Sequence, residues 1–292
     1  MKKASRLLSI LIYFLVFNIG NAQGRPETKF DTPYGNNQEI GTYVTINGAK
    51  IYYEEYGKGK PLLLIHGNSG DIASMGNQIE YFKKKYRVIV ADGRGHGKSE
   101  LKTDSLTYTQ MAKDWEGLIN HLKLDSINVI GWSDGGIIGL MMGISSKHNF
   151  NKMVTMGANL RPDTTAVNSW AITEVSKMMD FIEYKIQVKD TAKPWKLGKQ
   201  VVGLLLNQPN IETSELSKIK AKVLIMAGDK DVIKNEHSVE IFENIPNAHL
   251  CIMPGETHFT PRENPDLFNK IADNFLSKPF IRPDSNFTKG KN

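Results

Sequence analysis

Apolar runs and amphipathic stretches alternate along most of this chain, and their order predicts its secondary structure. The apolar runs contain few polar residues, as do strands that are covered on both faces of a sheet. They are residues 61–65, 86–91, 127–131, 152–156, 221–227 and 248–253. Between them, apolar residues recur at helical spacing in residues 72–85, 107–122, 134–145, 236–245 and 264–276. This alternation predicts an α/β fold with a mostly parallel sheet and helices on both of its faces.

A different pattern, alternation of apolar and polar residues, occurs near the start of the folded region. It runs through Tyr43–Ile46 and Lys50–Tyr53, on either side of the dipeptide Asn47-Gly48. Asn-Gly between two alternating segments is the strongest short-range signal for a two-residue hairpin. We therefore predict two antiparallel strands at one edge of the sheet.

Residues 160 to about 218 interrupt the β/α alternation, because they contain no apolar run of the strand type. Two helix-like stretches lie here, Trp170–Phe181 and Leu197–Leu206, with Pro194 and Pro209 on either side of the second. We predict a helical cap that is inserted into a single α/β domain. Because large apolar residues at helical spacing usually pack, we expect these side chains to hold the cap on the core rather than to line a pocket. They are Trp170, Met178, Met179, Phe181, Tyr184 and Trp195.

The first 22 residues differ in character from the rest of the chain. Three basic residues precede the apolar run Leu7–Phe17, and the small residues Gly20-Asn21-Ala22 follow it. Regions of these three kinds in this order predict a secretory signal peptide in residues 1–22, and hence a periplasmic or extracellular protein. An uncleaved membrane anchor is the alternative, although a bilayer is spanned by roughly 20 apolar residues and this run is shorter.

Polar segments flank the predicted domain, which covers residues 42–277. Residues 23–41 are rich in polar residues, glycine and proline, and residues 278–292 are polar as well. We predict a flexible lead-in before the domain and a frayed tail after it.

Charge and cysteine content limit the partners and the means of stabilisation. The 292-residue chain has a formal net charge of +6, and three of its positive charges lie in residues 1–22, so the remainder carries +3. Such a balance predicts no nucleic-acid partner. The single cysteine, Cys251, cannot form an internal disulfide, so the fold depends on its apolar core.

The candidate chemistry centres on the segment Gly131-Trp132-Ser133-Asp134-Gly135, between a predicted strand and a predicted helix. It fits the G-x-S-x-G pattern, in which a serine on a sharp strand-to-helix turn projects above the sheet edge. The backbone N–H after that serine faces a developing oxyanion, and the glycines keep side chains away from the turn. The pattern predicts that Ser133 is a nucleophile.

Four motifs at strand ends together resemble those of the α/β-hydrolases, over about residues 42–277. They are His66-Gly67-Asn68, the segment 92–99, Gly131–Gly136, and the loops that hold Asp231 and His258. More narrowly, Gly131–Ile137 and Lys152–Asn159 are similar to the biphenyl hydrolase-like group that includes valacyclovirase.

The resemblance implies a Ser-His-Asp triad in the chain order Ser133, Asp231, His258. Asp231 is preferred over Asp229, which lies closer to the strand end. The resemblance also implies that the backbone N–H groups of Asn68 and Asp134 form an oxyanion hole. Neither a cofactor nor a metal is expected. We further expect substrate contacts from Asp134 and Trp132, the residues that flank the serine.

The function that follows is a secreted serine hydrolase that cleaves small carboxylic esters through an acyl-enzyme. In valacyclovirase-like enzymes the acidic residue after the serine pairs with an α-ammonium group, so Asp134 implies α-aminoacyl esters; contact with solvent or a helix N-terminus is the alternative for its side chain. An aminopeptidase, a lactonase, a C–C bond hydrolase or a perhydrolase on the same triad, or a non-catalytic binding protein, are the alternative functions. The physiological substrate, the cap geometry and the oligomeric state do not follow from the sequence.

Overall fold

The computed structural model describes residues 29–282, and an eight-stranded sheet forms its centre. The strands are β1 (Thr42–Ile46), β2 (Ala49–Tyr56), β3 (Lys60–Ile65), β4 (Tyr86–Ala91), β5 (Ile127–Trp132), β6 (Phe150–Met156), β7 (Lys222–Lys230) and β8 (Ala248–Thr257). Across the sheet their order is β1-β2-β4-β3-β5-β6-β7-β8. The β1–β2 and β2–β4 pairs are antiparallel and all other pairs are parallel. The predicted α/β fold with a mostly parallel sheet is confirmed.

The predicted hairpin at the sheet edge is also confirmed. Ile46 pairs with Ala49 across the turn, and the two residues between them, Asn47 and Gly48, have φ values of +47° and +80°. Two consecutive left-handed residues fit the right-handed twist of the flanking strands, which explains the Asn-Gly sequence.

Helices cover both faces of the sheet. They are α1 (Gly76–Phe82), α2 (Tyr108–His121), α3 (Asp134–Ser145), α4 (Ser169–Gln187), α5 (Trp195–Asn207), α6 (Asn235–Asn244), α7 (Thr260–Glu263) and α8 (Pro265–Ser277), with short 3-10 helices at Ala73–Met75 and Thr213–Lys218. In β3, Leu63 and Ile65 belong to the core cluster that contains residues of α2 and α3, whereas Leu62 and Leu64 belong to the cluster that contains residues of α1 and α8. Successive side chains of a strand point to opposite faces, so a strand covered on both sides is apolar throughout.

The segment between β6 and β7 contains α4, α5 and the 3-10 helix Thr213–Lys218. Helix α5 buries Val201, Val202 and Leu204, whereas α4 buries one residue, Ile182. Thus α5 contributes more side chains to the core, and α4 packs against α5.

The expectation that the large apolar side chains of this segment all pack is wrong for two of them. Phe181 and Trp195 do pack, with ring centroids 5.7 Å apart. Trp170 and Tyr184, however, are 59% and 56% exposed, because α4 presents much of its surface to solvent.

The prediction of a flexible lead-in is wrong for the part of it that the structure describes. The carboxylate of Glu54 is fully buried and accepts hydrogen bonds from the N–H groups of Gly35 and Asn37, at 2.9 and 3.0 Å. The ring of Tyr34 packs edge-on against Tyr56. A buried carboxylate requires such donors, so it fixes this segment on β2.

The predicted frayed tail is likewise ordered in its first residues. The ring of Phe280 stacks on His249 with centroids 4.5 Å apart. The ammonium of Lys152 donates to the carbonyls of Phe275, Leu276 and Lys278 at the end of α8. A cation at a helix C-terminus satisfies carbonyls that have no partner within the helix.

Two further predictions concern residues outside the described range. The signal peptide predicted for residues 1–22 and the end of the tail, residues 283–292, lie beyond it. Among residues 29–282, none of the helices combines the length and the hydropathy that crossing a bilayer requires.

Candidate active site

The backbone at Ser133 makes the sharp turn that the G-x-S-x-G pattern predicts. Strand β5 ends at Trp132, helix α3 begins at Asp134, and Ser133 between them has φ +56° and ψ −118°. This conformation is unfavourable for a residue with a side chain and is retained where the surrounding structure enforces it. A Cβ atom on Gly131 would lie 2.1 Å from the carbonyl oxygen of Gly135, so the turn needs glycine there.

A continuous path of hydrogen bonds joins Ser133, His258 and Asp231. The hydroxyl of Ser133 lies 3.0 Å from His258 Nε2, and His258 Nδ1 lies 2.7 Å from Asp231 Oδ1. A carboxylate can only accept, so Nδ1 carries the proton and Nε2 is left to accept from the serine. The structure therefore brings together the three residues of the predicted triad.

Asp231 rather than Asp229 reaches the imidazole. Asp231 is 5% exposed, and its Oδ1 also accepts from the N–H of Ile233 at 3.0 Å. The amide of Asn168 donates to the Asp231 carbonyl at 3.0 Å and holds the same loop. Asp229 lies within β7 and makes no hydrogen bond to His258 in the described part of the chain.

Two opposing effects set the basicity of His258. Burial lowers the pKa of its imidazole, because the charged form is desolvated. The negative charge and hydrogen bond of Asp231, with a smaller contribution from Asp134, outweigh that effect and raise the pKa above its ordinary value. A base with a raised pKa accepts a proton readily from a serine hydroxyl.

The remaining buried histidines of the described residues bond to main-chain groups or to a carboxylate, and none of them is hydrogen-bonded to a serine. They are His66, His96 and His237. His237 accepts from the N–H of Leu160 and its other ring nitrogen pairs with Glu240. Burial lowers the pKa of His96 to about 4. His66 and His96 lie in tight loops beside glycines, and their ring nitrogens bond to main-chain groups, as in structural histidines.

The loop after β3 lies against Ser133 and is held by His66. The Nδ1–H of His66 donates to the carbonyl of Gly67 at 2.8 Å, and its Nε2 accepts from the N–H of Gly93 at 2.9 Å. A Cβ atom on Gly67 would lie 3.0 Å from the Cβ of Ser133. Asn68 is the next residue, and its side-chain amide binds the carboxyl of Asp134, the residue that follows Ser133.

Asp134 is the first residue of α3, and its N–H has no carbonyl one turn earlier in the helix to donate to. Asp134 is 2% exposed, so the alternative of solvent contact is wrong, whereas its place in the first turn of α3 agrees with the other alternative, a helix N-terminus. Asn68 Nδ2 donates to Asp134 Oδ2 at 2.9 Å, whereas Asp134 Oδ1 and the nearby hydroxyl of Tyr108 find no partner of normal hydrogen-bond geometry among the described residues. Burial raises the pKa of this carboxyl, more than its neighbours lower it.

Trp132, which the sequence predicts to contact substrate, is buried in the core beside the serine turn. Its ring is 6% exposed and packs edge-on against Phe259. Its indole Nε1 donates to the main-chain carbonyl of His258 at 2.8 Å. The ring therefore lies in the core cluster that includes α8, where it holds the backbone of His258, and this burial does not support the expected substrate contact.

Comparison with known proteins identifies the family. A family model described as "alpha/beta hydrolase fold" matches residues 60–184. The chain is 31% identical over 266 residues to 2-hydroxy-6-oxo-6-(2'-aminophenyl)hexa-2,4-dienoic acid hydrolase of Metapseudomonas resinovorans, covering 81% of this chain and 90% of that protein. The chain belongs to the α/β-hydrolase family.

Other similar proteins include a human relative and a solved structure. Human "Serine hydrolase BPHL" is 29% identical over 249 residues, 80% of this α/β-hydrolase and 85% of that protein. The structure of the esterase EaEST from Exiguobacterium antarcticum matches with a TM-score of 0.69 and 23% identity, over 82% of this chain and 100% of that one.

Some residues of this α/β-hydrolase site are not evident from the sequence. Gly157 has φ +64°, and a Cβ atom there would lie 2.6 Å from His258 Nδ1 and 3.3 Å from Asp231 Oδ2. Its position directly after strand β6 was the available signal. Residues 29–282 hold no cluster of three or more histidine, cysteine or acidic side chains arranged for a metal ion.

Proposed function

We propose that this α/β-hydrolase is a serine hydrolase that cleaves small carboxylic esters through an acyl-enzyme. The observation that carries the proposal is the unbroken path from Ser133 Oγ through the imidazole of His258 to the buried Asp231. A serine hydroxyl is a weak nucleophile unless an adjacent base takes its proton, and this geometry supplies that base.

The reaction then proceeds in two halves. His258 Nε2 takes the proton from Ser133 as its Oγ attacks the ester carbonyl, and returns the proton to the leaving alcohol. The same nitrogen next activates water, which releases the acid and the free serine. The backbone N–H groups of Asn68 and Asp134 hold the oxyanion in both halves, and removing one such donor costs roughly 3 kcal/mol of barrier in comparable sites.

The similar proteins include ester, lactone and C–C bond hydrolases, so they support an ester substrate only as one of these classes. Besides the esterase, they include "3-oxoadipate enol-lactonase 2" of Acinetobacter baylyi, and a lactone is a cyclic ester. Hydrolysis of a C–C bond or an amide, and perhydrolysis, in which hydrogen peroxide replaces water as the acyl acceptor, use the same three residues, so a panel that includes these reactions separates the alternatives. A non-catalytic binding role has less support, because such proteins need no intact hydrogen-bonded triad.

Replacement of the serine tests the proposal. We expect Ser133→Ala to abolish hydrolysis of p-nitrophenyl acetate and labelling by a fluorophosphonate probe, with unchanged folding by circular dichroism. Ser145→Ala is the matched control, because that exposed serine bonds to Met141 at the other end of α3. Labelling that persists in Ser133→Ala would refute the assignment.

We also propose a second, narrower function, the hydrolysis of α-aminoacyl esters. It is favoured by the buried Asp134 carboxyl, which directly follows Ser133 and whose Oδ1 is approached by the hydroxyl of Tyr108 without normal hydrogen-bond geometry. A substrate ammonium would supply a charged donor to this carboxyl, and a charge-assisted hydrogen bond of about 1.5 to 3 kcal/mol corresponds to roughly tenfold to 150-fold in selectivity.

The comparison of an aminoacyl ester with its desamino analogue tests this narrower function. We expect a higher kcat/KM for the aminoacyl ester, and we expect Asp134→Ala to erase that preference, so that the variant cleaves the two esters with equal kcat/KM. Equal kcat/KM values for the two esters in the unaltered enzyme would leave a general carboxylesterase.

We propose, finally, that the protein is exported, as the pattern of residues 1–22 predicts. Mass spectrometry of the protein from its native host should find an N-terminus near Gln23 outside the cytoplasm. A chain that retains Met1 would contradict cleavage.

A further inference from the structure

The side chain of Asn68 joins three parts of the site that are distant in the sequence. Its Nδ2 donates to Asp134 Oδ2 at 2.9 Å and to the main-chain carbonyl of Val201 at 2.9 Å. Asn68 lies in the loop after β3, Asp134 follows the nucleophile, and Val201 is a buried residue of α5. Both hydrogens of the side-chain amide are therefore donated, one to the turn that carries Ser133 and one to helix α5.

The hydrogen bonds around this amide are mutually compatible. A carbonyl oxygen has two lone pairs, so Val201 can accept from Asn68 as well as from a helical N–H. The hydroxyl of Ser69 donates to the remaining polar atom, Asn68 Oδ1, at 3.0 Å. Ser69 also has φ +57°, so the loop bends immediately after Asn68.

We infer that the Asn68 side chain is a positioning residue that couples helix α5 to the two backbone N–H groups of the oxyanion hole. The inference rests on the proposed function, because it takes Ser133 as the nucleophile and those two N–H groups as the oxyanion donors. One donor belongs to Asn68 itself and the other to Asp134, the residue that its amide binds. The hydrogen bond from the Asn68 side-chain amide to Asp134 therefore fixes the spacing between the two backbone N–H groups. The second hydrogen of the same amide binds Val201 and so links that spacing to the position of α5.

Asn68→Ala tests the coupling, because it keeps the backbone N–H and removes both side-chain bonds. With p-nitrophenyl acetate we expect kcat to fall by about tenfold to a hundredfold and KM to change less than about threefold. The inhibition constant of a trifluoromethyl ketone, whose adduct with the serine is tetrahedral, should rise by a similar factor. Measured on titrated active sites, that constant is insensitive to a misfolded fraction.

Asn207→Ala is the matched control. The amide of Asn207 donates to the carbonyl of Gly203, also in α5, at 2.8 Å, but it is exposed and bonds within its own helix. We expect kcat and the inhibition constant to stay within about twofold of the unaltered enzyme, since a surface bond of this kind contributes little.

Asn68→Asp gives a second readout that a purely structural role would not move. The carboxylate of Asp134 is faced by Tyr108 of α2, His66 of the loop after β3 and His258 of the loop after β8. A second carboxylate beside it removes the donor and adds repulsion, until one of the two carboxyls takes up a proton and donates in its place. The ratio of kcat/KM, variant over unaltered enzyme, should rise about threefold or more from about pH 8 to about pH 6.

The outcomes separate the inference from the function on which it rests. If Ser133→Ala is still labelled by the fluorophosphonate, both are wrong. If labelling is specific to Ser133 but Asn68→Ala has an unchanged inhibition constant, or the pH ratio of Asn68→Asp is flat, the coupling alone is wrong.

Discussion

The indole Nε1 of Trp132 donates to the carbonyl of His258, so the residue before the serine holds the loop of the imidazole across 126 positions of sequence. Ser133 and His258 must stay within hydrogen-bond distance for proton transfer. This bond ties together the backbones on which both side chains stand. Trp132 is therefore a positioning residue in the proposed mechanism.

We predict that Trp132→Phe lowers kcat/KM by about fivefold, because it removes one buried hydrogen bond of about 1 kcal/mol and keeps most of the aromatic surface. Trp195→Phe is the control, since that indole donates to Asp190 between α4 and α5 at 2.9 Å, and we expect no change in activity. Equal losses in the two variants would mean that Trp132 acts through general stability.

Asp231→Asn should lower kcat by about 10⁴-fold, as the corresponding change does in well-studied Ser-His-Asp proteases, because the imidazole then adopts the wrong tautomer. Asp229→Asn should change kcat by less than about threefold, since Asp229 makes no hydrogen bond to the imidazole in the described residues. A larger loss of kcat in Asp229→Asn than in Asp231→Asn would instead assign the carboxylate of the triad to Asp229.

The pH dependence of the enzyme should report the same pair. His258 must be neutral to act as a base, and the pKa of its imidazole is raised by Asp231 against the opposing effect of burial. Activity should therefore be lost as the pH falls through a value above about 6.5. In Asp231→Asn the charge is absent and burial remains, so the residual kcat/KM should persist to lower pH. If kcat/KM of Asp231→Asn fell at the same acidic pH as in the unaltered enzyme, Asp231 would not be the cause of the raised pKa.

Gly157→Ala should lower kcat by about a hundredfold or more, because the new methyl group would lie 2.6 Å from His258 Nδ1 and displace the imidazole from Asp231. Gly255→Ala is the matched control. Gly255 has a similar φ of +73°, but nothing lies within 4 Å of the methyl position. Both variants should lose about 1 to 2 kcal/mol of stability through backbone strain, and only Gly157→Ala should lose activity.

Glu54→Gln should destabilise the protein by about 2 to 3 kcal/mol in urea unfolding, because an amide group would then face hydrogen-bond donors. The carboxylate accepts from the hydroxyls of Tyr52 and Tyr56 as well as from two backbone N–H groups. Glu55→Gln, at a half-exposed ion pair with Arg87, should cost less than about 1 kcal/mol. Similar losses would show that the lead-in adds little stability.

Patterns local in sequence predicted much of this molecule. The apolar runs gave the sheet, and Asn47-Gly48 gave the hairpin, because each depends on a few neighbouring residues. Family resemblance ordered Ser133, Asp231 and His258, which the structure brings within hydrogen-bond distance.

Features that depend on side-chain direction were missed. Hydrogen bonds join Glu54 to the lead-in segment, and the periodicity of apolar residues does not reveal them. Trp132 points into the core because of the register of β5. The exposure of Trp170 depends on how α4 packs, which helical spacing alone does not fix.

The distance in sequence between Ser133 and His258 has a consequence for translation. The turn after β5 that carries Ser133 leaves the ribosome well before β8, since His258 lies 125 residues later. Under the proposed mechanism the nascent chain holds a serine without its base until almost the whole domain has been translated. Hydrolytic activity would thus begin with the completed chain, and a product truncated before β8 would be inert towards esters.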